Sequence, residues 1–376
     1  MSMIVHTLPA AGAPPAGVPR PAPVDLDRVP AVDAFLILLG LGRLDRDTVT
    51  ASVGRDQVWA GRTQGGRWVS VKRLIGGPDH ARVRIRRALA FEKLATRYPD
   101  LPRGPALLGS DEAAQLLVFE YLADARTGAD LAAAQEFGDP LAYAVGQAVG
   151  RLHITGPAGC EHLHRSTPLL PSPALLRGLP LAMFGDAGHS APGAWGPAQR
   201  DHVLVAAVDD LTSRERAAPP VPAHCDLRVD RILVTGDRIL ITDWEECRLA
   251  DPARDVGSFA GEWLYRSALA RSRSRITAFW RGYRSIRVQV DDGLAARATA
   301  FAGWHLLERM VAGAAQRPGS PGIERAAASI GRTALCAPDR FVTALGLGDP
   351  HDHRGPDCPR DIAVRGPLTR LIDLRG

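Results

Sequence analysis

Two aspartates, Asp226 and Asp243, are separated by a short apolar hairpin, and this constrains the chain more than anything else in it. The stretch begins His224-Cys225-Asp226-Leu227-Arg228-Val229-Asp230-Arg231 and ends Ile241-Thr242-Asp243-Trp244-Glu245. Between them, 232–234 and 239–242 read as β-runs around a Thr235-Gly236-Asp237 turn. A hairpin that tight returns the chain to its starting point. Either carboxylate alone says little, but two of them seventeen residues apart with a hairpin between form a much stronger signal.

With 376 residues the chain is long enough for one large core or two lobes. Hydrophobic residues make up 45% and charged residues 23%, as in ordinary globular proteins. No run approaches the length of a membrane span, and residues 34–39 are too short for one. No secretory signal pattern opens the chain, so the cytoplasm is the expected compartment and no membrane partner is expected. The net charge of +5 is spread over scattered arginines. No basic stripe with interleaved aromatics stands out, so a nucleic-acid partner is not expected. Only two of the 46 basic residues are lysines, Lys72 and Lys93. A lysine kept in such a chain points to a place where a planar guanidinium would not serve. The five cysteines show no C-x-x-C pair, which argues against a disulfide framework.

Residues 1–30 are rich in Pro and Ala and read as a disordered tail. A helix is expected over 31–41, strands over 48–53, 58–63 and 68–74, and a hairpin turn at Gln64-Gly65-Gly66. A helix over 80–98 follows, then strands at 106–109 and 115–121. Beyond these the pattern is helical except for the hairpin at 232–242. The expected organisation is a tail over 1–30, an N-lobe over 31–122 and a C-lobe over 123–376. Residues 157–200 and 349–361 read as long loops. They contain Cys160-Glu161-His162-Leu163-His164 and His351-Asp352-His353 with Cys358, which are metal-ligand residue types at no common zinc spacing. Cys225 and Cys247 are expected to be small buried thiols. Trp263, Tyr265, Phe279, Trp280 and Tyr283 fall at near-helical spacing and read as core. Arg82, Arg84, Arg86 and Arg87 read as a solvated helix surface, with docking of an acidic leader peptide as the alternative.

The offsets of His224, Asp226, Leu227 and Asp243 parallel a kinase catalytic loop, H-x-D-L-x-x-x-N, followed by a metal-binding Asp. Phosphoryl transfer needs a cation on the nucleotide phosphates, a group that holds it, metal ligands, and a carboxylate for the attacking hydroxyl. Lys72, in Val-Ser-Val-Lys, is the candidate for the phosphates. Glu92, on the next helix, is its candidate ion-pair partner. Asp226 is the candidate catalytic base and Asp243 the candidate Mg²⁺ ligand. The turn at Gly54 is the candidate phosphate cover. Glu120 and Leu122, where the chain leaves its strand, complete the residues expected around the ATP.

His-Cys-Asp-Leu, Ile-Thr-Asp-Trp-Glu and Asp251-Pro252-Ala253-Arg254-Asp255-Val256-Gly257 together resemble the aminoglycoside phosphotransferase and choline kinase group. The resemblance covers roughly 45–285 and includes Gly150-Arg151-Leu152-His153 on the preceding helix. It implies an α+β, bilobal protein-kinase-like fold, with a small β-rich N-lobe and a larger, mostly helical C-lobe. It also implies an ATP- and Mg²⁺-dependent phosphotransferase acting on an alcohol. Gly-Arg-Asp-Gln-Val-Trp-Ala-Gly-Arg-Thr, Val-Lys-Arg-Leu, Arg-Arg-Ala-Leu-Ala-Phe-Glu and Cys-Asp-Leu-Arg more narrowly resemble the kinase-like component of class V lanthipeptide synthetases and thioamitide systems. That resemblance implies Ser/Thr of a precursor peptide as acceptor, with a lyase or cyclase as partner subunit. The alternatives are a small hydroxylated substrate of the antibiotic-resistance type, or a silent peptide-binding scaffold.

One position departs from the pattern. Arg231 stands where the family has the Asn that holds a second Mg²⁺. A guanidinium cannot ligate a cation. Three readings follow: Arg231 replaces the second metal's charge at the phosphates, it marks a pseudokinase, or it turns to the surface while Glu245 or Asp230 assists the metal. The first is preferred because Lys72, Asp226 and Asp243 all survive, and it makes Arg231 a candidate catalytic residue.

Overall fold

The computed structural model describes residues 25–53, 56–156, 160, 163, 165, 199–266, 269–314 and 321–348. A five-stranded antiparallel sheet comes first, built from β1 (Thr50–Val53), β2 (Gln57–Arg62), β3 (Trp68–Arg73), β4 (Leu107–Asp111) and β5 (Leu116–Glu120) in the order β1-β2-β3-β5-β4. Alternation along β3 and β5 decides what each face carries. Val69, Val71, Leu116 and Val118 join Val32, Phe35 and Leu36 of helix α1 (Pro30–Leu38) on one side. Leu117 faces the other way and packs with Ala81, Ile85 and Ala88 of α2 (Pro78–Arg97). Lys72 is opposite Leu117 in the β3–β5 register and shares that second face. Its ammonium is thereby aimed to the α2 side.

The ordered chain starts earlier than its composition suggests. Leu26 and Val29 are buried in the α1-side core, so the tail expected over 1–30 ends before them among the described residues.

After β5 the chain is mainly helical: α3 (Gly128–Ala133), α4 (Asp139–Ile154), α5 (His202–Ala217), α6 (Ala253–Arg266), α7 (Leu269–Ile286), α8 (Leu294–Ala314), α9 (Pro321–Cys336) and α10 (Pro338–Leu345). Helices α4 and α7 cross closely through Gly146 and Gly282. A methyl on Gly146 would sit 2.0 Å from Phe279 O, and one on Gly282 would sit 2.0 Å from Tyr143 O. Trp263, Phe279, Trp280 and Tyr283 are buried, as the core reading expects, while Tyr265 is exposed and carries the Arg309 guanidinium over its ring. No described helix is long and apolar enough to cross a membrane.

Two small sheets interrupt the helices. One is β6 (Arg126–Thr127), β8 (Ile232–Thr235) and β9 (Arg238–Ile241); the other pairs β7 (Val221–Ala223) with β10 (Arg248–Ala250). The expected 232–242 hairpin is β8–β9, turning at Gly236 with φ +56°. The pieces β6, β7 and β10 correct the expectation of helix elsewhere. They are two or three residues long, too short for any periodicity to show.

Candidate active site

The catalytic-loop segment leaves β7 at His224, which is buried. Its Nδ1 accepts the Asp226 N–H at 3.2 Å. The ring proton therefore lies on Nε2, which donates to Thr242 O at 2.8 Å. His224 thus ties the loop to the end of β9. The next residue, Cys225, has φ +65°, an unfavourable region for a side-chain-bearing residue. Asp255 on α6 holds that bend by accepting the N–H groups of His224 and Cys225, both at 2.8 Å. It also takes His153 Nε2 at 3.1 Å, and His153 Nδ1 meets the Tyr283 hydroxyl at 3.0 Å. Burial drives the Asp255 carboxyl upward, but the hydrogen bond and charge of His153, together with the charge and N–H of His224, outweigh it, so Asp255 titrates below its ordinary range. Burial lowers His153, against the pull of Asp255. Asp251, Asp255 and His153 lie in segments that carried the family resemblance, but Asp255's grip on the loop is a long-range contact that their spacing does not announce.

At the open end of the hairpin, Thr242 N–H donates to Arg231 O at 2.8 Å, adding a rung to the β8–β9 ladder. That rung puts Arg231 beside Asp243, which also adopts a left-handed φ of +65°. Arg231 Nη1 lies 2.7 Å from Asp243 Oδ2 and 3.3 Å from Asp230, and Nη2 lies 3.7 Å from Asp226 Oδ2. The guanidinium therefore stands between the two aspartates. This removes the reading in which Arg231 turns to the surface. Arg228 adds a second fork on Asp226 and Asp230, at 3.5 and 3.3 Å.

From the sheet, Lys72 reaches the same cluster. Its Nζ lies 2.8 Å from Asp243 Oδ1 and 2.7 Å from Glu245 Oε1, with Asp56 at 3.8 Å. Burial acts to lower the Lys72 pKa, but Asp243 and Glu245 reverse it, and the ammonium is held charged. Burial likewise acts to raise Asp243, and Arg231 and Lys72 hold it well below the usual carboxylate range. Both Asp243 oxygens are thus engaged by the chain's own cations.

The expected Lys72–Glu92 pair does not form. Phe91 turns inward and stacks on Trp244, with centroids 3.5 Å apart. Its neighbour Glu92 therefore points elsewhere, and Arg103 is the charge it senses. Burial raises its carboxyl despite that arginine. The residue that α2 does turn toward the lysine, two helical turns before Phe91, is Arg84. The partners missed by sequence reasoning are Glu245 and Asp56. Sequence reasoning reads Glu245 only as a possible aid to the metal, and Asp56 only as part of the candidate phosphate-covering turn.

Glu120 ends β5, paired with Val69, and Leu122 follows as the chain enters its helical part, where its carbonyl accepts Ala125 N–H at 3.1 Å. Gly54 lies outside the described residues, as do most of the 157–200 and all of the 349–361 loop residues whose histidines and cysteines suggested ligands. Cys225 and Cys247 are free thiols that burial pushes well above their ordinary range. Of the four clustered arginines of α2, Arg84 and Arg87 turn inward, while Arg82 and Arg86 stay at the surface in ion pairs. Arg82 pairs with Asp79, Arg84 with Asp56, Arg86 with Glu112 and Arg87 with Glu246.

Among the described residues, no three carboxylate, imidazole or thiol side chains are arranged to hold a metal by themselves. One buried atom fits a cation nonetheless. Glu245 is 1% exposed and its Oε2 has no hydrogen-bond partner beside Asp243. A Mg²⁺ that arrives with a nucleotide needs only one or two protein carboxylates, because phosphates and water complete its shell.

The model of the phosphotransferase enzyme family, APH, matches residues 49–289, more than half of the chain. No curated protein sequence matches it. Solved structures are similar over most of its length. A choline/ethanolamine kinase family protein from Mesorhizobium loti is 19% identical with a TM-score of 0.51, over 86% of this chain and 99% of its own. Spectinomycin phosphotransferase APH(9)-Ia, in complex with ADP and spectinomycin, is 13% identical with a TM-score of 0.53, over 83% and 98%. Amicoumacin kinase hAmiN, in complex with AMP-PNP, Ca²⁺ and Ami, is 15% identical with a TM-score of 0.55, over 87% and 99%. The kinase-like α+β fold is thus shared with them. With its matched segment running from β1's flank to the end of α7 and enclosing the whole carboxylate–cation cluster, the chain belongs to the phosphotransferase enzyme family.

Proposed function

We propose that the chain moves the γ-phosphoryl group of ATP to a hydroxyl of a small molecule, in the cytoplasm. The observation that carries the reading is the cluster itself: Asp226, Asp243 and Lys72 converge on one point, with Arg231 between the two aspartates. In this reading Asp226 orients the acceptor hydroxyl and takes its proton as the new oxygen–phosphorus bond forms. The bond between the γ-phosphorus and the bridging oxygen breaks, and its electron pair leaves with ADP. Lys72 turns from the carboxylates to the nucleotide phosphates. Asp243, with Glu245 beside it, would hold a Mg²⁺ that neutralises the phosphate oxygens when bound. Arg231 supplies the charge that a second metal gives elsewhere, pairing with a phosphate oxygen as a fixed cation.

A small acceptor is preferred to a precursor peptide for two reasons. The similar structures include a spectinomycin phosphotransferase and an amicoumacin kinase. Two of the four α2 arginines offered for docking an acidic leader, Arg84 and Arg87, are turned inward onto Asp56 and Glu246. The test is incubation with ATP and Mg²⁺ against three acceptor sets: amino sugars, amino alcohols, and a Ser/Thr-rich peptide. Mass spectrometry is expected to show a phosphate adduct on a small hydroxylated compound. An adduct on the peptide alone would sink the small-molecule reading and restore the peptide one.

A further inference from the structure

Helix α2 presents a cation, not a carboxylate, to the lysine side of the sheet. Arg84 is completely buried. Its two terminal nitrogens grip Asp56 at 2.8 and 2.7 Å in a bidentate fork. Asp56 begins the climb into β2, accepts Ile75 N–H at 3.0 Å, and stands 3.8 Å from Lys72 Nζ. On its other side Arg84 Nε lies 3.5 Å from Glu246. The contacts therefore close a ring. It runs from the Trp244–Glu246 turn to α2, from α2 to the turn before β2, from there to Lys72 on β3, and back to Asp243 and Glu245. The Phe91–Trp244 stack fastens the same helix to the same turn.

We propose that Arg84 and Asp56 are positioning residues for the nucleotide, setting Lys72 through a charge-reversed link from α2. The inference rests on the phosphotransferase reading above. Its physical basis is the rigidity of the fork. A bidentate guanidinium–carboxylate pair fixes both distance and plane, and burial keeps it from being screened by salt. Asp56, already neutralised by Arg84, gives Lys72 a fixed negative neighbour at 3.8 Å without a full competing charge. The ammonium is then held at one height along β3 yet is free to exchange Asp243 and Glu245 for phosphate oxygens.

Removing one partner alone leaves a buried, unpaired charge, so Asp56→Asn is expected to lower Tm whatever the pair does. The informative variant is the double one, Arg84→Met with Asp56→Asn, which removes both charges, stays close to the original volumes and keeps an acceptor for Ile75 N–H. It is compared with the wild-type chain for Tm, for binding of trinitrophenyl-ATP, and for the KM of ATP and of acceptor. The expected result is a Tm recovered toward wild type, nucleotide affinity weaker by about tenfold or more, and an unchanged acceptor KM. Arg84→Lys keeps the charge, loses the fork, and is expected to weaken nucleotide affinity in the same direction. Wild-type nucleotide affinity in either variant would overturn the positioning role. A wild-type chain that binds no trinitrophenyl-ATP would instead overturn the phosphotransferase reading on which it rests.

Discussion

Arg231 holds Asp243 at 2.7 Å and reaches Asp226 at 3.7 Å, so it occupies the space between the proposed base and the proposed metal ligand. A divalent cation placed there as well would face strong repulsion, since unit charges ~4 Å apart interact by about 4 kcal/mol at an effective dielectric near 20. The account therefore expects one Mn²⁺ per nucleotide-bound chain by electron paramagnetic resonance. Arg231→Asn is expected to bind a second Mn²⁺ and to show a steeper dependence of turnover on metal concentration. A second ion in the wild-type chain would contradict the substitution. Lys72→Arg tests the other cation, because a planar fork cannot follow a point charge from carboxylates to phosphates. It is expected to lose most of its turnover while keeping its fold, as judged by circular dichroism.

At this scale the sequence carries much of the site. Asp226 and Asp243 are legible because a fixed spacing and a hairpin lie between them, and Lys72 because lysine is so rare in the chain. Glu92 misleads because a helix turns about 100° per residue. Choosing the right helix does not choose the right face, and only Phe91's stack on Trp244 decides it. Arg84 and Asp56 are 28 residues apart and obey no motif, so their pairing becomes visible only in three dimensions.

Two element-level features position the cluster. The first is the α4–α7 crossing, where Gly146 lets the backbones touch. Gly146→Ala would force a methyl into Phe279 O, and overpacking of this kind costs about 1–3 kcal/mol or more. A lower Tm for Gly146→Ala than for wild type is expected, and an unchanged Tm would show that the helices can slide apart at no cost. The second is α6, whose Asp255 fastens α4 through His153 and the catalytic loop through two N–H groups. Because the folded-state pKa of Asp255 lies below its ordinary 3.8, its charge contributes stability that is fully present above that value. The contribution is lost as the pH falls through the lower folded value. Asp255→Asn is therefore expected to lower Tm at pH 7, by the equivalent of about 1–3 kcal/mol. The gap from wild type should narrow below about pH 4. A gap independent of pH would mean that the carboxylate charge is not what holds the loop. The long helices and the main strands are legible from periodicity. The pieces β6, β7 and β10 are not, since tertiary pairing alone makes strands of two or three residues.

Across the whole molecule, a sheet carries Lys72, a hairpin carries Arg231 and Asp243, and a loop carries Asp226. The hairpin and loop bring Arg231, Asp243 and Asp226 together, and α2, bound to the Trp244–Glu246 turn by a ring stack and by Arg84 and Arg87 on Glu246, fastens the sheet side to them. The chain belongs to the phosphotransferase enzyme family, and the proposed function assigns this meeting to phosphoryl transfer. In the proposed mechanism Asp226 is the residue on which transfer turns. The most direct measurement is ³¹P nuclear magnetic resonance of the reaction with ATP, Mg²⁺ and an accepted hydroxyl compound, for wild type and Asp226→Asn. The account predicts a phosphomonoester signal growing with ADP in the wild type. It predicts a rate lower by about 10²–10⁴-fold in Asp226→Asn, with nucleotide still bound. Equal rates in the two proteins would contradict it.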